Sequence, residues 1–494
     1  MRCLTLADAL ASRGAAAHFV CRAHNGNLID WLRSRGMRVS ALPAPASSTA
    51  DAADEDYAAW MGVPEQVDAD ETISALAGGR PDWIVVDNYA LGREWERRLR
   101  RHVGKVMVID DLPAREHDCD LFLDQNETDR SEATYRARVP ATCQLALGPR
   151  HAVLRSDYLA YRESLAQRDG QVRRVLVFFG GSDPHDLTGV ALDALTHLDL
   201  ASVHVDLVVG ANYAHRAALE QKVAKRPSTQ LFGPRPHLAD LFAAADLAIG
   251  AGGSTTWERM CLGVPTLIVS IAENQRRSSE LLAEKGMVSY LGTADRVDAS
   301  VLRKAIIDHV KSPARLREMS EKGQIVVDGF GAGRLCECMD PTAAEALTLR
   351  PAREADLLTF FSWANDPQVR RQSLSPEPIA LERHRSWFLA KLASAQTHLF
   401  VLMAGSLPVG QIRFDMEGAD ARIDYSIDRL FRGRGWGQRI VLMGMQALSS
   451  GVTAAFLAEV KVENPASAAV FSKLGFTEST QPRNGLRTFR LGGH

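Results

Sequence analysis

The chain has 494 residues and a formal net charge of −2, with 46% hydrophobic and 24% charged residues. This length predicts about three domains, and the composition is ordinary for a soluble globular protein. The balanced charge gives no reason to expect a nucleic acid or an anionic membrane as partner. The sequence contains neither an apolar run of about 18 residues nor a signal-peptide core, so we expect no membrane span, no export and a cytoplasmic location.

The cysteines indicate a reducing environment. There are seven of them, an odd number, and they are scattered along the chain, which favours free thiols over a disulfide framework. The one close pair, Cys336 and Cys338, has no histidine or second cysteine pair beside it. We therefore predict no metal site.

Residues 1–148 alternate helix-like and strand-like segments, which predicts a first Rossmann-like domain with a parallel sheet. The predicted segments, interrupted by a surface loop at 43–57, are a helix at 1–10, a strand at 15–21, a helix at 26–35, strands at 37–42 and 83–87, a helix at 92–102 and a strand at 106–110. Asp87, Asp110 and Asp111 stand where predicted strands end. Ligands of open α/β sheets bind at that edge.

The chain opens inside a helix, with no strand before it. In the doubly wound order the first strand is central, so without it the neighbouring strands would lie about 10 Å apart. We therefore expect either a strand upstream of Met1 or another segment that fills the gap.

Residues 149–340 repeat the alternation and predict a second Rossmann-like domain, the two together in a GT-B-like arrangement. Its central stretch is Gly250–Pro265, which has the pattern of a glycine turn followed by a helix between two buried strands. Glycines allow close approach of a ligand, and the free amides at a helix start attract a phosphate. The alternative interpretation is a tight turn whose helix is capped by a capping box from Thr255 to Glu258.

A third, α+β domain is predicted at 347–494, because strands joined by tight turns replace the βα alternation. Its most informative motif, Arg432-Gly-Arg-Gly-Trp-Gly-Gln438, stands between a predicted strand at 422–427 and a helix at 439–448. Closely spaced backbone amides at a helix start suit a pyrophosphate. A basic turn before an ordinary helix is the alternative.

With Asn464-Pro-Ala-Ser467 and Phe471-Ser-Lys-Leu-Gly-Phe476 further on, residues 349–476 resemble the GNAT acetyltransferase family. The resemblance implies acetyl-coenzyme A (acetyl-CoA) as cofactor. The residues that it places at the cofactor are Ile427, Arg432, Gly433, Arg434, Gly435, Trp436, Gly437, Gln438, Arg439, Asn464 and Phe471. Many members have a tyrosine at the place of Phe471 as general acid on the leaving thiolate, and a phenylalanine cannot donate a proton. That role is therefore absent or supplied elsewhere. For the general base, Asp424 is the candidate by its position on a strand, against the interpretation that it merely faces solvent.

Residues 1–334 resemble the UDP-sugar hydrolases of pseudaminic acid biosynthesis, which are related to GT-B glycosyltransferases. The motifs that carry the resemblance include Val86-Asp-Asn-Tyr89, Asp110-Asp-Leu-Pro113, Phe179-Gly-Gly-Ser-Asp-Pro184, Gly250–Glu258 and Glu273-Asn-Gln275. The resemblance implies a UDP-amino-sugar as substrate and a glutamate, Glu258, on the ribose hydroxyls. The residues implied at the UDP-sugar are Gly181, Ser182, Asp183, Gly252, Gly253, Ser254, Thr255, Glu258, Asn274 and Gln275.

Two departures from this family bear on catalysis. In that family, a Gly-x-Gly-His segment comes before the residues that match Met1-Arg-Cys3, and its histidine is the proposed base for water; the present sequence starts after it. The second departure is Asn88, which stands where many relatives have histidine. Asp87 and Tyr89 remain as catalytic candidates on that side. We expect the hydrolase half to bind UDP weakly and to turn over slowly or not at all.

Three hypotheses follow from the sequence. The first is a bifunctional enzyme that acetylates the 4-amino group of a UDP-amino-sugar and then releases UDP by hydrolysis. The second is a GT-B glycosyltransferase that carries an acetyltransferase, and the third is an acetyltransferase with a non-catalytic UDP-sugar-binding module. The identity of the sugar and the oligomeric state stay open.

Overall fold

The computed structural model describes residues 1–45, 57–112, 114–196, 200, 202–340, 347–373, 375–448, 454–479 and 485–492. The chain forms two compact units, Met1–Met339 and Asp340–His494. Most of the predicted surface loop at 43–57 lies outside the described residues. Within the described ranges, no helix has the length and apolar character needed to cross a membrane.

The first part of unit 1 has the predicted alternation of helices and short parallel strands. Its elements are α1 (Arg2–Ala11), β1 (His18–Arg22), α2 (Ile29–Ser34), β2 (Arg38–Leu42), α3 (Tyr57–Met61), α4 (Glu65–Ala75), β3 (Trp83–Val86), α5 (Arg93–Leu99), β4 (Lys105–Ile109), β5 (Leu121–Asp124), α6 (Glu132–Arg136) and β6 (Gln144–Leu147). The sequence prediction missed α3, α4, β5, α6 and β6, which are short and have a weak hydrophobic period.

These strands form two separate parallel sheets instead of one. β1 pairs with β2, and the other sheet has the order β3-β4-β5-β6. In the described part of the chain no ladder joins β1 to β3, and both strands are largely half-buried while β5 is fully buried.

The second part of unit 1 is a six-stranded parallel sheet with helices between the strands. Its elements are α7 (Ser156–Ser164), β7 (Arg174–Phe178), α8 (Leu187–Leu195), β8 (His204–Val208), α9 (Arg216–Val223), β9 (Thr229–Phe232), α10 (Ala239–Ala244), β10 (Leu247–Ala251), α11 (Thr255–Cys261), β11 (Thr266–Ser270), α12 (Glu273–Glu284), β12 (Ser289–Thr293), α13 (Ala299–Val310), α14 (Pro313–Val326) and α15 (Gly331–Met339). The strand order β9-β8-β7-β10-β11-β12 is the doubly wound order, whose switch point lies between β7 and β10.

Helix α15 does not pack on the sheet that precedes it in the chain. Its apolar side chains, with those of α1, cover one face of the β3–β6 sheet, where Leu6, Met107, Leu123 and Leu335 share one buried cluster. The Trp83 indole also donates to the Met339 carbonyl oxygen (3.0 Å). The last helix of the predicted second domain thus completes the core of the first.

Unit 2 is the predicted α+β domain. Its elements are β13 (Leu347–Pro351), α16 (Leu357–Ala364), α17 (Pro367–Gln372), α18 (Leu381–Ala393), β14 (Thr397–Ala404), β15 (Leu407–Glu417), β16 (Asp420–Ile427), α19 (Trp436–Leu448), β17 (Ala455–Lys461), α20 (Pro465–Lys473), β18 (Thr477–Glu478) and β19 (Leu486–Gly492). The sheet order is β13-β14-β15-β16-β17-β19-β18, and β16–β17 is its parallel pair among antiparallel ones. The predicted fold class, two parallel α/β parts followed by an α+β domain, is confirmed.

Candidate functional site

The carboxyl edge of the six-stranded sheet at its switch point carries the glycine turns that the sequence singled out, and we call this edge the crevice, after the place where ligands bind in such folds. One turn follows β7 and the other follows β10, and these two strands are paired neighbours. In the first turn Gly180 has φ +98°, and Gly181 and Ser182 are exposed. Backbone amides at the carboxyl ends of both strands therefore face the edge where ligands of such sheets bind.

The glycines of the second turn serve different purposes. A Cβ at Gly250 would overlap the Arg259 guanidinium and the Phe178 carbonyl oxygen, and one at Gly252 would overlap the Ser279 hydroxyl. At Gly253 the nearest atom to such a Cβ is Nε2 of Gln275, at 3.7 Å. Gly250 and Gly252 are thus required by packing, whereas Gly253 leaves room for a ligand.

The helix after this turn begins one residue earlier than the capping-box interpretation requires. Ser254 is the N-cap residue of α11, and no side chain caps the helix. Thr255 is therefore already inside the helix, and the proposed capping box between Thr255 and Glu258 is wrong. Buried Arg259 ties the turn down instead, because it donates to the Ala251 carbonyl oxygen (2.6 Å) and the Thr256 hydroxyl (2.9 Å).

Glu258 lies half-buried on α11. Burial raises its pKa to about 7, against a hydrogen bond from the Tyr158 hydroxyl that lowers it. A carboxyl group with this pKa is part protonated at neutral pH, so it can accept from one hydroxyl group and donate to another. This is a suitable partner for a diol such as a ribose.

The side chain of Asp183 bonds to the start of α8. It is buried with φ +42°, and it accepts from the amides of Leu187 (3.0 Å) and Thr188 (2.8 Å) and from the Thr188 hydroxyl (2.6 Å). These bonds satisfy the first two amides of α8, whose N-cap residue is Asp186. The Asp183 carboxylate is thus engaged by the helix, and a place of Asp183 at the phosphates or the sugar stays a prediction.

The polar run after β11 contributes one residue to the crevice directly. Gln275 accepts from the amide of Ile271 (3.3 Å) through Oε1, which leaves its Nε2 beside Gly253. Asn274, at the first turn of α12, is exposed. The structure thus brings Gly253, Gln275 and the turn after β7 to one sheet edge.

If the turns after β7 and β10 bind UDP, as the sequence resemblance implies, replacing Glu258 by alanine is expected to weaken that binding by about 1–3 kcal/mol, because it removes a partly buried hydrogen-bonding group. Isothermal titration with UDP measures the change. The matched control is Glu284→Ala on α12, whose side chain is 63% exposed and which should leave affinity unchanged. An unchanged affinity together with a lowered melting temperature would reduce Glu258 to a packing residue.

The first part of unit 1 has a separate cavity of about 260 Å³, lined by His24, Tyr57, Trp60, Met61, Asp87, Asn88 and Tyr89. Two of its residues were catalytic candidates. The Asp87 carboxylate accepts from the Arg2 guanidinium (2.6 Å), and the Tyr89 hydroxyl donates to Asp111 (2.6 Å). Both are thus held in place by neighbours, and Asp87 is paired with a cation.

Four further lining residues were missed by the sequence analysis: His24, Tyr57, Trp60 and Met61. Tyr57 packs against Trp60 (5.1 Å between ring centroids) and Tyr89 (5.0 Å), and Trp60 is 42% exposed. His24 follows β1 and therefore stands at the carboxyl edge of its sheet. That position is the one sequence signal that could have identified it. Ring faces beside a carboxylate, an amide and an imidazole form a small pocket with convergent polar groups.

In unit 2 the sheet splits between its two parallel strands. β16 pairs with β17 only from Asp420 to Arg422, opposite Ala455 to Leu457. Beyond that point the strands are held by their outer neighbours, β15 and β19. The end of β16, including Ile427, therefore leaves its inner edge open to an extended ligand.

The glycine loop before α19 presents open backbone at one side of this split. Gly433 and Gly435 have φ +81° and +78°, are exposed, and have open space around a Cβ position. The Arg434 guanidinium lies over the rings of Phe431 (5.2 Å) and Trp436 (5.5 Å), and its buried Nη1 has no hydrogen-bond partner among the residues that the structure describes. Gln438 and Arg439 occupy the first turn of α19, half-buried and exposed respectively.

Arg432 has a structural role that the sequence did not reveal. Its guanidinium donates to the Ile427 carbonyl oxygen (2.9 Å), Gln368 (2.8 Å) and Asp366 (2.9 Å). The guanidinium is thus engaged by the fold, and a place of Arg432 at the cofactor stays a prediction. The Arg432 side chain ties the loop to α17, which leaves the loop amides and Arg434 as the candidates to hold an anion.

Two further predicted residues of unit 2 are also engaged by the fold. Asn464 caps α20 by accepting from the Ser467 amide (3.1 Å). Phe471 is 2% exposed and packs on Phe476 (5.1 Å) and Phe489 (5.7 Å). Phe471 is thus a core residue of the helix and offers the split no polar group.

The comparisons with known proteins agree with this geometry. Residues 346–477 match the GNAT acetyltransferase domain. Residues 175–329 match the C-terminal domain of glycosyltransferase family 28. The chain thus joins a glycosyltransferase-like α/β part to an acetyltransferase domain, whose family uses acetyl-CoA. The open edge of β16 and the free amides of the glycine loop fit this cofactor.

Two curated proteins are similar to parts of this chain. A spore coat polysaccharide biosynthesis protein of Bacillus subtilis, SpsG, is 30% identical over 202 residues, which are 40% of this chain and 59% of that protein. An uncharacterised protein of Methanocaldococcus jannaschii is 20% identical over 442 residues, which are 84% of this chain and 85% of that protein. A solved spermidine N-acetyltransferase of Vibrio cholerae, in complex with CoA and spermine, is 15% identical, covers 30% of this chain and 96% of its own, and has a TM-score of 0.28.

Proposed function

We propose that this chain is a bifunctional nucleotide-sugar enzyme of the kind found in pseudaminic acid biosynthesis. Unit 2 would acetylate the amino group of a UDP-4-amino-sugar, and unit 1 would release UDP from the diacetamido product by hydrolysis. The observation that carries the proposal is the presence, in one chain, of a glycine-turn crevice at a switch point and a split sheet beside a glycine loop. The match to a polysaccharide biosynthesis protein supports a sugar substrate.

For the acetyl transfer, acetyl-CoA supplies the acetyl group as an activated thioester. The loop amides at Gly433 to Gly437 and the Arg434 guanidinium would hold its pyrophosphate. The inner edge of β16 would hold the extended arm by backbone hydrogen bonds. Asp424, whose side chain is 55% exposed and accepts from Gln411 (3.1 Å), is the candidate to take the proton of the attacking amine.

For the nucleotide, the turns at Gly181 to Ser182 and at Gly253 to Ser254 would receive the phosphates, with Gln275 beside them. Glu258 would bind the ribose hydroxyl groups. In the cavity of the first part, an exposed tryptophan ring and polar groups suit a pyranose, which has an apolar face and a rim of hydroxyl groups. His24 is the group there that can take a proton from water near neutral pH.

Incubation with UDP-4-amino-4,6-dideoxy-N-acetyl-altrosamine and acetyl-CoA tests the proposal. We expect both free coenzyme A, detected by a thiol reagent, and free UDP, detected by chromatography. His24→Gln should reduce UDP release and leave acetylation intact, whereas His102→Gln, at an exposed position, should change neither. The proposal requires both products, so the absence of free coenzyme A or of free UDP would overturn it.

A second candidate function is favoured by the match to glycosyltransferase family 28. In that case the sugar would pass to an acceptor other than water. Measuring UDP release with and without added saccharide acceptors distinguishes the two, because a hydrolase needs water alone. UDP binding without any release would instead support a non-catalytic UDP-sugar module.

A further inference from the structure

Neighbouring residues of β16 face opposite sides of the sheet, because side chains alternate along a strand. The Tyr425 ring faces α19 and α20, where it lies 3.4 Å from the Cβ position of Gly437 and packs edge-on against Phe471 (5.9 Å). Asp424 faces the other side, near Arg413 (3.8 Å), whose guanidinium lies over Trp387 of α18. A carboxylate and a phenol thus stand on opposite faces at one point of the split.

Tyr425 is the tyrosine of β16 that stands beyond the last pair with β17. Its hydroxyl group donates to the Ser467 hydroxyl across the split (3.3 Å), and the residue is half-buried. Burial raises the pKa of Tyr425. The phenol therefore keeps its proton at neutral and mildly alkaline pH, and within the described residues its hydroxyl group is bonded to Ser467 and to no charged side chain.

Acetyl transfer from a thioester to an amine needs two proton movements. The C–N bond forms and the C–S bond breaks, the amine loses a proton, and the departing sulfur gains one. The amine and the thioester sulfur belong to different substrates, so an acid and a base on opposite faces of a split sheet match this requirement. Phe471 cannot serve, and Ser467 has a hydroxyl group far less acidic than a phenol.

We propose that the Tyr425 hydroxyl group is the proton donor to the leaving sulfur, on the face of the sheet opposite to Asp424. The inference rests on the proposed acetyltransferase function. After transfer, the phenolate regains a proton from solvent. The aromatic packing of Phe471 holds the Tyr425 ring in place and needs no hydroxyl group of its own.

The first test uses coenzyme A alone and requires no acceptor. A hydrogen bond from Tyr425 to sulfur stabilises the thiolate, so the pKa of the bound thiol should be at least about one pH unit lower in the wild type than in Tyr425→Phe. Thiolate absorbance during a pH titration of each complex measures it. The affinity for coenzyme A, measured by calorimetry, shows that the variant is folded and binds. Equal thiol pKa values in two complexes of equal affinity would overturn the inference.

The second test is kinetic. With the UDP-amino-sugar named above, Tyr425→Phe should lower kcat about 100-fold, the usual contribution of a general acid, with little change in KM for the acetyl donor. The fall of the wild-type rate at high pH should disappear. Ser467→Ala keeps the phenol and should retain most of the rate; a loss equal to that of Tyr425→Phe would assign the proton to Ser467 instead. If the wild type transfers no acetyl group, the proposed function fails, whereas equal wild-type and Tyr425→Phe rates refute only this inference.

Discussion

Replacing Arg334 by methionine is expected to lower the free energy of unfolding of unit 1 by about 3–5 kcal/mol, because a largely buried carboxylate, that of Asp328, then loses its main partner and keeps only Arg150 at 3.8 Å as a cation. Arg334 is 2% exposed, and it donates to both carboxylate oxygens of Asp328 and to the Arg150 carbonyl oxygen (2.7 Å). Burial alone would raise the pKa of Asp328, but the Arg334 guanidinium outweighs it and holds that pKa well below its usual range. The pair stands where the chain leaves the second part for α15.

The control for this prediction is an ion pair of similar length at the surface. Arg173 and Asp169 lie 2.6 Å apart with side chains 64% and 55% exposed. Arg173→Met should change stability far less, since solvent screens such pairs. Equilibrium denaturation of both variants gives the comparison, and similar losses would show that the burial of Arg334 is not decisive.

The elements that the sequence predicted well are those with a strong local signal. β10 and β11 are continuous apolar runs bounded by glycine, and α19 has a clear hydrophobic period after a glycine loop. Such signals depend on residues close together in the chain. The packing of α15 on a sheet formed 184 to 248 residues earlier has no local signal, so the pattern did not show that this helix packs on the first part.

The candidate sites show the same limit. Arg432 has the residue type and the spacing of a phosphate ligand, but its partner Asp366 lies 66 residues away in the chain. Asp183 has the position of a ligand residue, and its bonding to the first two amides of α8 depends on a backbone with φ +42°. By contrast, Gly253 and Gly435 were predicted as ligand-facing residues because glycine allows a ligand to approach the backbone closely. The space around both positions agrees with that reasoning.

The stability of unit 1 is expected to fall as pH rises from about 6.5 to about 9, because of one buried histidine. His117 lies between Glu96 (2.6 Å) and Asp110 (3.1 Å), and all three are at most 2% exposed. Burial opposes charge on the imidazole, but the hydrogen bonds to Asp110 and Glu96 outweigh it and raise the pKa of His117 to about 9. A folded pKa above the unfolded one means that protonation stabilises the fold, fully below about 6.5 and not above about 9.

The size of this effect follows from the shift. At about 1.4 kcal/mol per pH unit, the protonated imidazole contributes about 3 kcal/mol at acid pH. His117→Gln should therefore lose this amount at pH 6 and much less at pH 9.5, measured by denaturation at both pH values. The exposed His102→Gln variant should keep the wild-type slope. A slope that persists in His117→Gln would assign the pH dependence to other groups, because the glutamine has no charge to lose between Glu96 and Asp110.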